Sequence, residues 1–79
     1  MTVISSLCDL RVGGVGTVEG IAGDDEISLR LLEMGLVPGT KVRLVGFAPA
    51  GDPLEIELRG YRLSLRRREA ERVEIVPRG

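Results

Sequence analysis

The sequence predicts a mainly β domain: a small barrel of about five strands, with one short helix after the first strand and a short helical turn before the last. Three observations carry that expectation. Eleven glycines in 79 residues require frequent turns, which suits short strands better than a helix bundle. Phe47 and Tyr61 are the only aromatics, so the core has to be built from Val, Ile and Leu. Apolar residues alternate strictly on both sides of Arg59-Gly60 in "LEIELRGYRLSL", as two half-buried strands joined by a tight turn would. A chain this short buries only about 60% of its unfolded surface and has no room for a second core. Residues 1–79 are therefore read as a single domain.

The first strand is expected over Val15 to Ile21, after the turn Gly13-Gly14. Gly16 and Gly20, either side of Val18, suggest a strand that bends or admits a close backbone. A helix follows. Asp24, Asp25 and Glu26 are placed in its first turn, where carboxylates meet unpaired N–H groups and the positive end of the dipole. Ile27, Leu31 and Met34 then form one apolar stripe at i, i+4 and i+7. Gly35 suits a left-handed stop with Leu36 folding back toward Leu31. Val37-Pro38-Gly39-Thr40 has proline and glycine where a type II turn wants them, and leads directly into a strand at Thr40–Gly46.

After the loop "FAPAGDP", the alternating pair sets Leu58 against Tyr61, Ile56 against Leu63 and Leu54 against Leu65 on one face. The same register sets Glu57 against Arg62 on the other. "RRREAER" breaks the alternation and reads as a single helical turn, after which "VEIV" resumes it with Val73 and Ile75 inward. Five short strands with so little helix bury their edges most economically as a small SH3-like barrel.

Composition excludes several functions. Net charge is −1, which argues against an electrostatic nucleic-acid binder, although the two halves differ in sign. Arg11 and Arg30 face six acids in residues 1–39; nine bases face six acids in residues 40–79. The lone Cys8 cannot form an intramolecular disulfide, and no apolar run approaches 18 residues. With no signal-peptide pattern, the chain reads as cytoplasmic. It has no histidine, so Cys8 lacks the usual base and reads as a small buried hydrophobe, and Tyr61 as a packing residue. "RVGGVGTVEG" has neither the lysine nor the following helix of a phosphate loop. No enzyme activity and no cofactor are expected.

Three features remain. Asp24, Asp25 and Glu26 are weak candidates for a hard cation, read first as helix-start acids. Arg66, Arg67 and Arg68 form a basic run, read as a solvated face or a contact for an acidic protein surface. The helix carries a second apolar face, Leu29 and Leu32 with Leu36 close by. Either Val3, Ile4, Leu7 and Leu10 cover it, or it stays open as a partner site.

"LRLLEMGLVPGTKVRLV" and "APAGDPLEIELRGYRLSLRRREAERVEI" together resemble the FeoA family of bacterial ferrous-iron uptake, over nearly the whole chain. The most specific elements are "LLEMGLVPG", "GDP" and "RGYRLSLRR". The resemblance implies an SH3-like accessory protein that binds the cytoplasmic side of FeoB, a membrane permease with a GTP-binding domain. It would meet the membrane only through that partner; the residues themselves, by their charge and few aromatics, give no nucleic-acid partner, and the second apolar face is also where a second copy could pair weakly. Leu29, Leu32 and Leu36 with Arg66, Arg67 and Arg68 are the expected contact residues. The alternative is a metal-responsive domain akin to the C-terminal domain of DtxR-type iron-dependent regulators, which share the fold.

Overall fold

The computed structural model describes residues 5–78. The strands are β1 (Ser5–Ser6), β2 (Val15–Ile21), β3 (Lys41–Phe47), β4 (Leu54–Leu58), β5 (Tyr61–Leu65) and β6 (Val73–Arg78). The helices are α1 (Glu26–Glu33) and the single turn α2 (Arg67–Ala70), with a 3-10 turn at Leu7–Asp9. All strand pairings are antiparallel and form one sheet in the order β1-β6-β2-β3-β4-β5. The fold is mainly β, as expected, with a sixth strand too short for alternation to reveal. The outer edges of the ladder are β1 and β5.

Alternation places the core. Val18, Val42, Leu44, Leu54, Ile56, Leu58, Leu65, Val73 and Ile75 are all buried on the inner face of the sheet. Leu7, Leu10, Leu31, Leu36 and Ala70 complete one aliphatic cluster. The bend expected in the first strand is a register shift between Val18 and Gly20 in its pairing with β6. Val3 and Ile4 lie outside the described residues, whereas Leu7 and Leu10 join the core.

The β4–β5 hairpin has the anticipated register throughout, from Leu58 opposite Tyr61 to Leu54 opposite Leu65. Arg59 and Gly60 have φ of 50° and 83°, the left-handed pair that lets a two-residue turn follow the twist of its strands. Glu57 does lie opposite Arg62, but its carboxylate accepts from Arg43 at 2.9 Å instead. Arg62 reaches diagonally to Glu55 at 3.8 Å.

Helix α1 begins at Glu26, two residues later than three first-turn acids would require. Asp25 is the cap, its Oδ1 accepting from the Ser28 N–H at 3.2 Å; Glu26 is the first helical residue and Asp24 lies outside. The stop is as read. The Gly35 N–H donates to the Leu32 carbonyl at 3.0 Å and the Leu36 N–H to the Leu31 carbonyl at 3.2 Å, a Schellman pair. Five residues on, the Thr40 N–H closes the Val37–Thr40 turn on the Val37 carbonyl at 3.1 Å. The Tyr61 hydroxyl donates to the Met34 carbonyl at 2.6 Å, satisfying an oxygen at the helix end.

Both glycines of this corner are left-handed, Gly35 at φ 104° and Gly39 at φ 93°. A Cβ on Gly35 would lie 2.9 Å from the Tyr61 hydroxyl oxygen, whereas one on Gly39 would meet nothing within 4 Å. Gly35→Ala is therefore expected to cost about 2 kcal/mol and Gly39→Ala about 1 kcal/mol in urea unfolding. Equal losses would show that the tyrosine contact adds nothing to the backbone strain.

Candidate docking groove

Helix α1 shows part of its apolar surface to solvent. Leu29 and Leu32 are 58% and 37% exposed, large values for leucines in so small a domain. They line an open groove of about 600 Å³, whose other apolar walls are Ile21 on β2 and Pro38 in the turn. Asp24, Asp25 and Glu26 stand along its rim. Leu31, one position from Leu32, is fully buried beneath, so the helix is held by its inner stripe and shows the outer one.

Leu36 is a correction. Expected beside Leu29 and Leu32, it is 0% exposed and belongs to the core. The left-handed turn at Gly35 swings the next side chain inward, so helical spacing no longer describes it. Ile21 and Pro38 take its place in the groove. Pro38 was legible only as a turn residue, and Ile21 only as the end of a strand.

Arg30 and Arg66 lie away from that groove. Arg30 of α1 forms an ion pair with Glu69 of α2, whose other carboxylate oxygen accepts from the Arg66 N–H at 2.9 Å. Glu69 is almost fully buried and satisfied by both contacts. A second cavity, of about 620 Å³, opens here beside Arg30, Ser64, Arg66 and Glu69 and shares no lining residue with the leucine groove. Asp52, from the loop before β4, accepts from the Arg67 N–H at 3.0 Å and anchors the turn. Arg66, Arg67 and Arg68 are all exposed. The expected contact residues thus divide: Leu29 and Leu32 line the groove, Arg66 borders a separate cavity, Arg67 and Arg68 are exposed on the α2 turn, and Leu36 is in the core.

The acid cluster is only partly available. Asp25 pairs with Arg72 while capping the helix. The Arg72 guanidinium first, and the Ser28 N–H second, hold its carboxyl below the usual 3.8. Among the described residues, no group of three or more His, Cys, Asp or Glu is arranged to hold a metal ion. Cys8 is half-buried rather than buried, its thiol donating to the Arg67 carbonyl at 3.5 Å. Burial pushes that thiol up, and Arg67 offsets only part of the effect.

The FeoA domain family model matches residues 5–77. This chain belongs to the FeoA family. It is 35% identical to an FeoA-like protein from Clostridium acetobutylicum, whose NMR structure superposes with a TM-score of 0.89 over 98% of this chain and 90% of that one. A crystal structure of Stenotrophomonas maltophilia FeoA complexed with zinc, described as a prokaryotic SH3 domain protein, is 35% identical, with a TM-score of 0.78 and coverage of 89% and 87%. A fusion of Fe(2+) transport protein A with the Fe(2+) transporter FeoB, from Porphyromonas gingivalis, is 33% identical over 87% of this chain. The chain spans 8% of that protein's length. A manganese-dependent transcriptional repressor shares the fold at a TM-score of 0.86 with 16% identity, over 99% of this chain and 44% of the repressor. These relatives connect the family to ferrous iron transport. No described helix is long and apolar enough to cross a membrane.

The Asp25–Arg72 pair makes a signed prediction. Because the folded carboxyl titrates below 3.8, the stability it contributes is complete above that pH and is lost as the pH falls through the lower folded value. Asp25→Asn retains a capping side chain but not the charge. Its urea midpoint is expected to fall below the parent's at neutral pH, with the gap closing in acid. A gap independent of pH would mean that Asp25 acts through its cap alone.

Proposed function

We propose that this protein is a non-enzymatic accessory of ferrous iron uptake that works in the cytoplasm by docking onto the FeoB permease. The observation that carries the reading is the leucine groove: an FeoA-family chain with a well-packed core leaves Leu29 and Leu32 in water beside Ile21 and Pro38. Burial of such side chains is a main source of affinity in protein interfaces. The fused relative supports the choice of partner, because joining two domains in one chain makes their contact intramolecular.

The arginine turn supplies a second, charged contact away from the groove. Arg66, Arg67 and Arg68 would set orientation and speed of encounter, while the leucines hold the complex. A partner engaging both has to reach beyond the groove. Metal chemistry by this chain is not required, and Asp24, Asp25 and Glu26 serve as the rim of the groove.

Leu32→Asp places a charge in the groove without touching the core. Binding to detergent-solubilised FeoB, measured by biolayer interferometry, is expected to weaken at least ~10-fold. Arg66→Ala is expected to act mainly on the association rate and its salt dependence. Undiminished binding by a folded Leu32→Asp protein would remove the groove from the interface.

A further inference from the structure

The sheet offers a docking element on a different surface from the leucine groove. In a two-residue hairpin, hydrogen-bonded pairs alternate with open pairs, starting with the bonded residues that flank the turn. Leu58–Tyr61 is that flanking pair, so Ile56–Leu63 and Leu54–Leu65 are also bonded. The main-chain groups of Arg62 and Ser64 therefore point away from β4. The strand order ends at β5, and among the described residues no strand pairs with that outer edge. Two N–H and two C=O groups stand ready for a further strand.

Side-chain rows across the sheet specify what that strand should carry. One row reads Arg43, Glu57, Arg62, alternating positive, negative, positive up to the edge. The next reads Leu44, Ile56, Leu63, apolar throughout, and ends on a half-buried Leu63. Arg62 is exposed, and its only described ion pair is the long diagonal to Glu55. The cavity holding Arg30 and Arg66 also borders Ser64, the second residue whose main chain faces outward.

We propose that the free edge of β5 receives an extended segment of a partner protein, antiparallel, with an acidic residue opposite Arg62 and an apolar one opposite Leu63. Residues opposite Arg62 and Ser64 would each exchange both main-chain bonds. A second copy of this chain is a poorer occupant, because β5 itself carries Arg62 and no acid.

The test is an NMR titration of the isotope-labelled protein with a capped peptide, Thr-Val-Glu-Val-Glu-Val-Thr, and with its counterpart carrying Lys for Glu. The expected result is shift changes centred on β5, slowed exchange of the Arg62 and Ser64 amides, and at least ~10-fold weaker binding of the Lys peptide. Arg62→Gln should abolish the preference between the peptides. Ser64→Pro removes an outward N–H, a change edge strands accommodate, and should weaken both. The proposal is overturned if millimolar Glu peptide leaves those two amides unchanged, if the two peptides bind equally, or if shifts gather at Leu29 and Leu32 instead. Concentration-dependent pairing of the protein through β5 without peptide would equally overturn it in favour of a second copy. FeoB takes no part in the assay, so the result is independent of the groove's role.

Discussion

The rotation of α1 about its own axis is the constraint on which the surface of this protein depends. An eight-residue helix is too short to hold itself together in water, so its neighbours must fix it. Gly35 and Gly39 do so at the C-terminal end, through a left-handed stop and a turn that deliver the chain into β3 without slack. With that corner set, Leu31 and Leu36 enter the core, and Leu29 and Leu32 cannot. The exposed groove is thus a consequence of how the helix is ended.

Polar contacts secure the same rotation from the sides. Asp25 is tied to Arg72, Arg30 to Glu69, and the Met34 carbonyl to Tyr61. The exposed Asp25–Arg72 pair adds little stability by itself, whereas the nearly buried Glu69 carboxylate needs the Arg30 guanidinium to offset its desolvation. Distributed along two turns of one helix, these contacts specify orientation more than strength. They also consume acids and bases that the bare sequence leaves looking available: Asp25 for a cation, Glu69 as a break in the arginine run. What remains uncommitted is Asp24 and Glu26 at the rim and, away from it, the exposed arginines.

Much of this was legible in the sequence because local rules and tertiary packing agree. The hairpin register, the helix stop, the type II turn and the inward Val73 and Ile75 all follow from alternation and turn chemistry. The family, too, is written in motifs such as "LLEMGLVPG". Illegible features are those that non-local geometry decides. Leu36 carries two readings in the sequence, a fold back toward Leu31 at the Gly35 stop and a place beside Leu29 and Leu32, and only the packed core decides for the first. β1 has only two residues, Ser5 and Ser6, although the Ser6-to-Asp9 spacing of a capping box is a signal for the turn after it. Glu57 chose Arg43 over Arg62 because a central strand has neighbours on both sides, and a hairpin alone shows one.

Docking through one flank of a short, externally fixed helix leaves a clear dynamic signature, since such a helix opens readily when free. Hydrogen–deuterium exchange of this protein, alone and with membrane-embedded FeoB, tests that most directly. The account predicts slowed exchange across α1 and the adjoining end of β2, with β3 and β4 unchanged. Unaltered exchange throughout α1 in a saturated complex would contradict it.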